Sequence, residues 1–280
     1  QASICWTEKG CLSMANLDIT FRSQSLTRPT TFHLIWPNDV PPDMKAQNPH
    51  YGRPCKTLFL LHGYTAGYKE WPSCSPIWEL AMKYNLAVVC PDGGISFYLD
   101  GKGAGTAWCR YVSEELPTYL QQNFGLADGP ENTFVGGESM GGFGALHTAL
   151  SRPETFGCAI ALSSALIIHQ VASMRRSSGP VPAMADYDYY TSTFGDPADV
   201  EDSANNPETL VKHLLAAGKA VPRLFMACGT EDFLIENNRA FHDFLMETSV
   251  PVSYHEAPGV HNFEFWNQWI EPGIRWALEL

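Results

Sequence analysis

The chain has 280 residues, of which 45% are hydrophobic and 17% are charged, a composition typical of a globular protein long enough to bury a substantial core. Its 30 acidic and 18 basic residues give a net charge of −12, which argues against nucleic acid and anionic membrane surfaces as partners. No run of the sequence approaches the roughly 18 apolar residues that a membrane-spanning helix needs.

The eight cysteines predict free thiols in a reducing compartment. Cys90, Cys158 and Cys228 lie in or at the ends of apolar runs, where a thiol packs as a small hydrophobic group. The first residues lack the charged and apolar regions of a signal peptide, which predicts a cytoplasmic protein. We expect residues 1–15 to be an upstream extension or a remnant of cloning, and residues 16–280 to form a single domain.

The hydrophobic pattern, followed in chain order, predicts an α/β fold. Leu17–Phe21 and Thr31–Trp36 are typical of an antiparallel pair of strands. After them, continuous apolar runs alternate with amphipathic stretches, as expected for strands that are buried on both faces. The runs are Thr57–Leu61, Leu86–Cys90, Thr133–Val135, Cys158–Leu162, Arg223–Ala227 and Val252–His255, and the helical stretches include Ser75–Tyr84, Ser113–Asn123, Gly142–Ser151 and Glu236–Thr248. We therefore predict a mostly parallel central sheet with helices on both faces.

One interval, from residue 164 to about residue 220, interrupts this alternation. It contains no strand-like run, but it includes Tyr187, Tyr189, Tyr190 and Phe194. A connection of this length between two core strands is either a functional insertion or a disordered one, and its aromatic content favours a packed cap. We predict a cap insertion there.

The strongest motif is Gly137-Glu138-Ser139-Met140-Gly141, a G-x-S-x-G sequence. It follows the apolar run Thr133–Val135 and opens a helical stretch, so the chain passes from a strand through a sharp turn into a helix. This is the context of a nucleophile elbow, in which small residues allow the turn and the serine hydroxyl projects from it. Ser139 is the predicted nucleophile.

A nucleophilic serine needs a general base and an acid that orients the base. Asp232 lies in the loop after the run Arg223–Ala227, and His261 follows the last predicted strand. This order of serine, acid and histidine is the one that the nucleophile elbow predicts. Glu231 stays open as the alternative acid.

Two backbone N–H groups are expected to form an oxyanion hole. Met140 directly follows the nucleophile, and Tyr64 lies just after the predicted strand Thr57–Leu61. Two donors directed at a developing oxyanion lower the barrier by several kcal/mol. The His62 side chain beside Tyr64 is interpreted as structural.

These motifs carry a resemblance to a known family. They are LLHGYTAG (60–67), VVCPDGG (88–94), YVSEELPTYL (111–120), GGESMGGFGAL (136–146), GTEDFL (229–234) and PGVHNFEFW (258–266). In this order, and together with the N-terminal segment, they resemble the esterase D family of α/β-hydrolases, which includes S-formylglutathione hydrolases, tributyrin esterases and feruloyl esterases. The resemblance covers residues 16–280 and implies an α/β-hydrolase fold. It also implies that the nucleophile, acid, base and two oxyanion donors are Ser139, Asp232, His261, Tyr64 and Met140.

The chain departs from the family pattern at three places. Glu138 precedes the nucleophile where S-formylglutathione hydrolases usually carry His, and residues 98–108 do not follow their pattern. After the base, Asn262-Phe263 stands where many relatives have Asp-Trp. The resemblance is therefore greater to bacterial tributyrin and feruloyl esterases.

The residues and the resemblance together predict a serine carboxylesterase that hydrolyses short-chain acyl or hydroxycinnamoyl esters through an acyl-enzyme on Ser139. A carbohydrate acetyl esterase, an acyltransferase and a binding module on the same scaffold stay open as alternatives. The expected partner is a small-molecule or saccharide-linked ester, no metal or cofactor is expected, and relatives leave a homo-oligomer open. The candidate substrate-binding residues are aromatic and lie in the cap or near the base: Trp108, Tyr187, Tyr189, Phe263 and Trp266.

Overall fold

The computed structural model describes residues 14–176 and 185–280. In this part of the chain, eight strands form one sheet in the order β1-β2-β4-β3-β5-β6-β7-β8. The strands are β1 (Ala15–Ser23), β2 (Arg28–Trp36), β3 (Lys56–Leu61), β4 (Leu86–Pro91), β5 (Thr133–Glu138), β6 (Cys158–Leu162), β7 (Arg223–Gly229) and β8 (Val252–Ala257). Each predicted strand lies within one of them.

The sheet is mostly parallel, as predicted. β1 pairs antiparallel with β2, and β2 pairs antiparallel with β4. From β4 to β8 all neighbouring strands are parallel. The carboxyl ends of β3, β5, β7 and β8 therefore meet at one edge of the sheet, where open α/β sheets bind their ligands.

Helices cover both faces of the sheet, which confirms the predicted fold class. They are α1 (Pro42–Gln47), α2 (Glu70–Cys74), α3 (Ile77–Lys83), α4 (Trp108–Arg110), α5 (Leu116–Phe124), α6 (Met140–Ser151), α7 (Ile168–Ser173), α8 (Tyr187–Phe194), α9 (Pro207–Ala216), α10 (Ile235–Glu247) and α11 (Phe263–Ala277). Alternate residues of the strands face opposite layers. Phe59 and Leu61 pack in the layer that contains α6, whereas Leu58 and Leu60 pack in the layer of α3 and α11.

Two of the differences between the predicted and the observed helix bounds lie next to prolines. The helix expected at Ser75–Tyr84 begins only at Ile77, because Ser75 precedes Pro76 and is extended, with ψ at 163°. The helix expected at Ser113–Asn123 begins earlier, with α4 and a π-helical turn at Tyr111–Glu115. That turn lies just before Pro117, which has no backbone N–H to continue the α-helical hydrogen bonds.

The segment between β6 and β7, for which we predict a cap, contains α7, α8 and α9 and no strand in its described residues. Its helix α8 packs on the sheet domain through Phe194, whose ring centroid lies 4.7 Å from that of Phe97 and 5.7 Å from that of Phe143. The segment is therefore packed on the sheet domain through α8.

Candidate active site

Ser139 occupies a strained turn between β5 and α6. Its φ is 55° and its ψ is −118°, a conformation that costs a non-glycine residue about 1–3 kcal/mol. Two hydrogen bonds hold it, from Ser139 N–H to the Leu162 carbonyl and from Ala165 N–H to the Ser139 carbonyl, both at 2.9 Å. A Cβ at Gly141 would lie 2.2 Å from the Leu61 carbonyl oxygen, so the turn requires glycine there. The glycines of the motif thus allow the close packing that fixes the serine.

A chain of hydrogen bonds connects Ser139, His261 and Asp232. The Ser139 Oγ lies 2.9 Å from His261 Nε2, and His261 Nδ1 lies 2.8 Å from Asp232 Oδ2 and 3.1 Å from Oδ1. Because an ionised carboxylate only accepts hydrogen bonds, Nδ1 carries the proton and Nε2 accepts from the serine hydroxyl. In this arrangement the imidazole can take the serine proton.

The surroundings of Asp232 favour its ionised form. Burial raises the pKa of this carboxyl, but hydrogen bonds from His261, the Leu234 N–H and Ser163 outweigh burial and hold the pKa below its ordinary value. The Leu234 N–H donates to Oδ1 at 2.9 Å, and Trp266 Nε1–H donates to the Ser163 Oγ at 3.0 Å. The buried carboxylate is thus fixed beneath an imidazole that is itself only 18% exposed.

Glu231, the alternative acid, contacts the backbone of the histidine loop instead of the imidazole. Its carboxylate accepts the Gly259 N–H at 2.6 Å, and its own N–H donates to the Gly259 carbonyl at 3.1 Å. His261 Nδ1 donates to Asp232 instead. Glu231 therefore anchors the loop that carries His261.

His62 holds the loop after β3 through its backbone contacts. Its Nδ1 donates to the Gly63 carbonyl at 2.8 Å, and its Nε2 accepts the Gly93 N–H at 2.8 Å. The Tyr98 hydroxyl donates to the His62 carbonyl at 3.1 Å. The structural role expected for this side chain agrees with these contacts, which hold the loop that continues into Tyr64.

Ser139, His261, Tyr64 and Met140 line one cavity of about 490 Å³. This volume lies within the range of small-molecule sites. Most of the other lining side chains are apolar, and they include Phe97, Ile167, Tyr190, Phe233, Leu234 and Trp266. The structure therefore brings four of the five predicted catalytic and oxyanion residues to a single, mainly apolar cavity, and the fifth, Asp232, lies against His261 Nδ1 outside the lining.

Among the five predicted substrate-binding residues, only Trp266 lines this cavity. Trp108 packs beneath the Arg28 guanidinium at 5.0 Å, and Tyr187 contacts Arg176 in the same manner at 5.1 Å. These two aromatic rings are occupied by cation–π contacts away from the cavity.

The other two predicted aromatic residues lie behind the cavity lining. Tyr189 packs edge-on against Tyr64, with ring centroids 5.7 Å apart, and its hydroxyl donates to the Ile95 carbonyl at 2.9 Å. Phe263 packs against Trp71 and Trp266, at 5.2 and 4.9 Å. Their contacts make them supports of the lining and not part of it.

Several lining residues were missed by sequence reasoning. Tyr190 lines the cavity in place of its neighbour Tyr189, because the rotation of α8 selects one of two adjacent tyrosines. Phe233 is 75% exposed, and its ring centroid lies 4.5 Å from that of His261. Its place next to Asp232 in the sequence was the available signal. Glu70 and Glu138 also line the cavity. The sequence distinguishes only Glu138, as a departure from the family pattern.

Other features of the described residues bear on the remaining expectations. Six cysteines of residues 14–176 and 185–280 are free thiols. Within the same ranges, no three His, Cys, Asp or Glu side chains gather as a metal site would require. No helix of the described part has both the length and the apolar character needed to span a membrane.

Comparisons with known proteins add to this geometry. The family described as "Putative esterase" matches residues 23–276. An acetyl esterase of Caldicellulosiruptor saccharolyticus is 39% identical over 267 residues, which are 95% of this chain and 99% of the relative. An S-formylglutathione hydrolase of Staphylococcus aureus is 26% identical, with a TM-score of 0.77 over 95% of this chain and 99% of its own. The mycolyltransferase Ag85B of Mycobacterium avium is 29% identical over 80% of this chain and 75% of its own.

The family match includes the segments that carry the turn at Ser139, the loop at Asp232 and the loop at His261. It extends over nearly the whole chain, and the fold of the solved S-formylglutathione hydrolase superimposes over almost the same length. The chain therefore belongs to this esterase family and is a carboxylic ester hydrolase.

Proposed function

We propose that the protein is a serine carboxylesterase that hydrolyses short-chain acyl esters, acetyl esters foremost, through an acyl-enzyme on Ser139. The observation that carries the proposal is the hydrogen-bonded chain from Ser139 Oγ through His261 to Asp232, with distances of 2.9 and 2.8 Å. The acetyl esterase relative, which matches along 95% of this chain, supports the acyl preference.

In the first half of the reaction, the Ser139 Oγ attacks the ester carbonyl carbon while His261 Nε2 takes the serine proton. The carbonyl electrons move to the oxygen, which the backbone N–H groups of Tyr64 and Met140 stabilise. The ionised Asp232 stabilises the imidazolium that forms. When the C–O bond to the alcohol breaks, His261 returns the proton to the leaving alcohol and the acyl group stays on Ser139.

In the second half, water attacks the acyl carbon and His261 takes one of its protons. The tetrahedral oxyanion again accepts hydrogen bonds from Tyr64 and Met140. As the bond between the acyl carbon and Ser139 Oγ breaks, His261 returns the proton to Oγ and the carboxylic acid leaves. Each step moves protons only between groups that line the cavity, so the proposed reaction needs no cofactor.

The cavity supports an uncharged ester substrate. Its lining includes Phe97, Ile167, Tyr190 and Trp266, which favour an apolar acyl group. The aromatic members of this lining also favour a second candidate, a hydroxycinnamoyl ester whose ring would stack on them. The two candidates differ in the volume that the acyl group needs.

The test is hydrolysis of p-nitrophenyl acetate, butyrate and octanoate and of methyl ferulate by the purified wild-type protein and by Ser139→Ala. We expect Ser139→Ala to lose all measurable turnover and to keep the fold by circular dichroism. The matched control is Ser151→Ala, at the far end of α6, which should keep the wild-type rate. A fluorophosphonate should label the wild-type protein on the Ser139 peptide alone.

The outcomes separate the candidates. A kcat/KM that falls from acetate to octanoate supports the short-chain esterase, whereas a kcat/KM for methyl ferulate at least about tenfold above that for acetate supports the hydroxycinnamoyl esterase. Turnover retained by a pure preparation of Ser139→Ala would refute the serine mechanism for both.

A further inference from the structure

Two acidic side chains lie beside the nucleophile, and the proposed reaction uses neither. Glu138 directly precedes Ser139 and is 1% exposed, and Glu70 is the first residue of α2. Both line the cavity that contains Ser139. A buried carboxyl group is costly unless it has a partner, so their position next to the reacting serine calls for an explanation.

Both carboxyl groups contact the residue before Tyr64. The Gly63 N–H donates to Glu70 Oε2 at 2.9 Å. A Cβ at Gly63 would lie 2.6 Å from Glu138 Oε1 and 2.8 Å from Oε2, so the Glu138 carboxyl packs directly against the Gly63 Cα. Next to Glu70, Trp71 Nε1–H donates to the Leu61 carbonyl at 2.9 Å. The start of α2 is therefore attached to the loop after β3 on both sides of His62.

The surroundings of Glu138 favour its protonated form. Burial, followed by the negative charge of Glu70 and a hydrogen bond with it, outweighs the opposing effect of the Gly63 N–H and raises the pKa of Glu138 well above its ordinary value. No hydrogen-bond donor among the described residues reaches the buried Glu138 Oε1. An ionised Glu138 would leave this oxygen unpaired in the protein interior, whereas a protonated Glu138 can donate a hydrogen bond to Glu70. The nearby Tyr98 is also neutral, because burial raises its pKa well above the ordinary value. Both ring nitrogens of His62 are used in backbone hydrogen bonds.

We propose that Glu138 and Glu70 form a carboxylic acid–carboxylate pair that holds the Gly63–Tyr64 backbone beside Ser139, which makes both of them positioning residues for ester hydrolysis. The inference rests on the proposed function, in which the Tyr64 N–H is an oxyanion donor. Glu70 fixes the loop by accepting a hydrogen bond from the Gly63 N–H. Glu138 fixes Glu70 by donating a hydrogen bond to it, and its carboxyl group packs against the Gly63 Cα. The contact with the oxyanion exists only in the transition state, so the pair should act on kcat and not on KM.

The test compares two substitutions at each position in the hydrolysis of p-nitrophenyl acetate. Glu138→Leu removes the donor and keeps most of the volume, whereas Glu138→Gln keeps an N–H that can donate to Glu70. We expect Glu138→Leu to lower kcat by about tenfold to a hundredfold, somewhat less than the loss of a whole oxyanion donor, with KM within twofold of the wild type. Glu138→Gln should recover most of that kcat. Glu79→Leu, at an exposed position of α3, is the control.

Glu70 supplies the second, independent variant. Glu70→Leu removes the acceptor of the Gly63 N–H and should also lower kcat with little change in KM, whereas Glu70→Gln keeps an acceptor oxygen and should recover it. Glu70 is only half-buried, so its substitution remains informative if Glu138→Leu does not fold. Circular dichroism of each variant establishes whether the fold is kept.

Wild-type kcat in both Glu138→Leu and Glu70→Leu would overturn the inference. So would equal losses in Glu138→Gln and Glu138→Leu, because this result would mean that an ionised Glu138 is needed. These results differ from a failure of the proposed function, which appears as activity in Ser139→Ala. If Ser139→Ala is inactive and both leucine variants are fully active, the esterase mechanism stands and only the positioning pair is refuted.

Discussion

Glu138→Gln should change the pH dependence of folding in a defined direction. In the native protein, burial and the neighbouring Glu70 raise the pKa of Glu138 well above the ordinary value of 4.5. Above about pH 5, the unfolded chain has released this proton and the native protein still binds it. The native state therefore becomes less stable as the pH rises, until the pH reaches the native pKa. Glutamine does not titrate, so the variant loses this dependence.

The magnitude follows from one proton. Each pH unit between the unfolded and the native pKa lowers the free energy of unfolding of the wild type by about 1.4 kcal/mol relative to the variant. The coupled pair holds a single proton, so this slope does not depend on how the charge is divided between Glu138 and Glu70. The difference between the variant and the wild type should therefore grow in favour of the variant by about 1.4 kcal/mol per pH unit above the unfolded pKa, up to the pH at which the native pair releases its proton.

The assay is reversible urea unfolding of the wild type and the variant at pH 5, 6, 7 and 8. Taking the difference at each pH cancels the groups that titrate in both proteins. Glu79→Gln, which removes an exposed carboxylate from α3, should show a difference that is nearly independent of pH. A flat difference for Glu138→Gln as well would mean that Glu138 is ionised in the native state, and it would refute the reasoning for a shared proton.

Three further predictions concern the site. Asp232→Asn should lower kcat by about 10⁴, because the amide donates to His261 Nδ1 and leaves Nε2 unable to accept the serine proton; a kcat within tenfold of the wild type contradicts this direction of donation. Glu231→Ala removes the acceptor of the Gly259 N–H and should lower kcat by about tenfold, with Glu231→Gln recovering it; equal rates in all three proteins would show that this anchor is dispensable. Phe233→Ala should raise KM for esters of bulky alcohols while kcat stays constant, since its exposed ring contributes binding alone; unchanged KM values for phenyl and methyl acetate would exclude that contact.

The sheet could be predicted well from the sequence, because strands buried on both faces leave a strong signal. Runs such as Leu86–Cys90 cannot face water on either side, so their position in the chain determines the order of the α/β elements. The candidate residues Ser139, Asp232 and His261 could also be selected, since each follows such a run and the carboxyl ends of parallel strands meet at one edge. In the structure, hydrogen bonds of 2.9 and 2.8 Å connect Ser139 to His261 and His261 to Asp232, which agrees with that selection. Their catalytic roles stay predictions until turnover is measured.

The substrate-binding residues could not be predicted in the same way. Tyr189 and Tyr190 are adjacent and chemically identical, and only the rotation of α8 against the sheet decides that Tyr190 lines the cavity. Trp108 packs against Arg28, a residue far away in the sequence, and does not line the cavity. An aromatic side chain packs wherever it finds a partner, and the partner is set by the tertiary fold. The composition therefore predicts that aromatic residues line the cavity, but not which ones.

The protonation state of Glu138 could not be predicted from the sequence either. In the sequence it is the variable residue of a G-x-S-x-G motif, and its strand predicts only that it is buried. A buried carboxyl group predicts a partner, but the spacing along the chain does not show whether that partner is basic or acidic. A basic partner would lower the pKa and make the carboxylate stabilising at neutral pH, whereas burial together with the acidic Glu70 raises the pKa and reverses the sign. Whether Glu138 stabilises or destabilises the fold as the pH rises is therefore a property of the contact between β5 and α2, and it can be derived only from the folded structure.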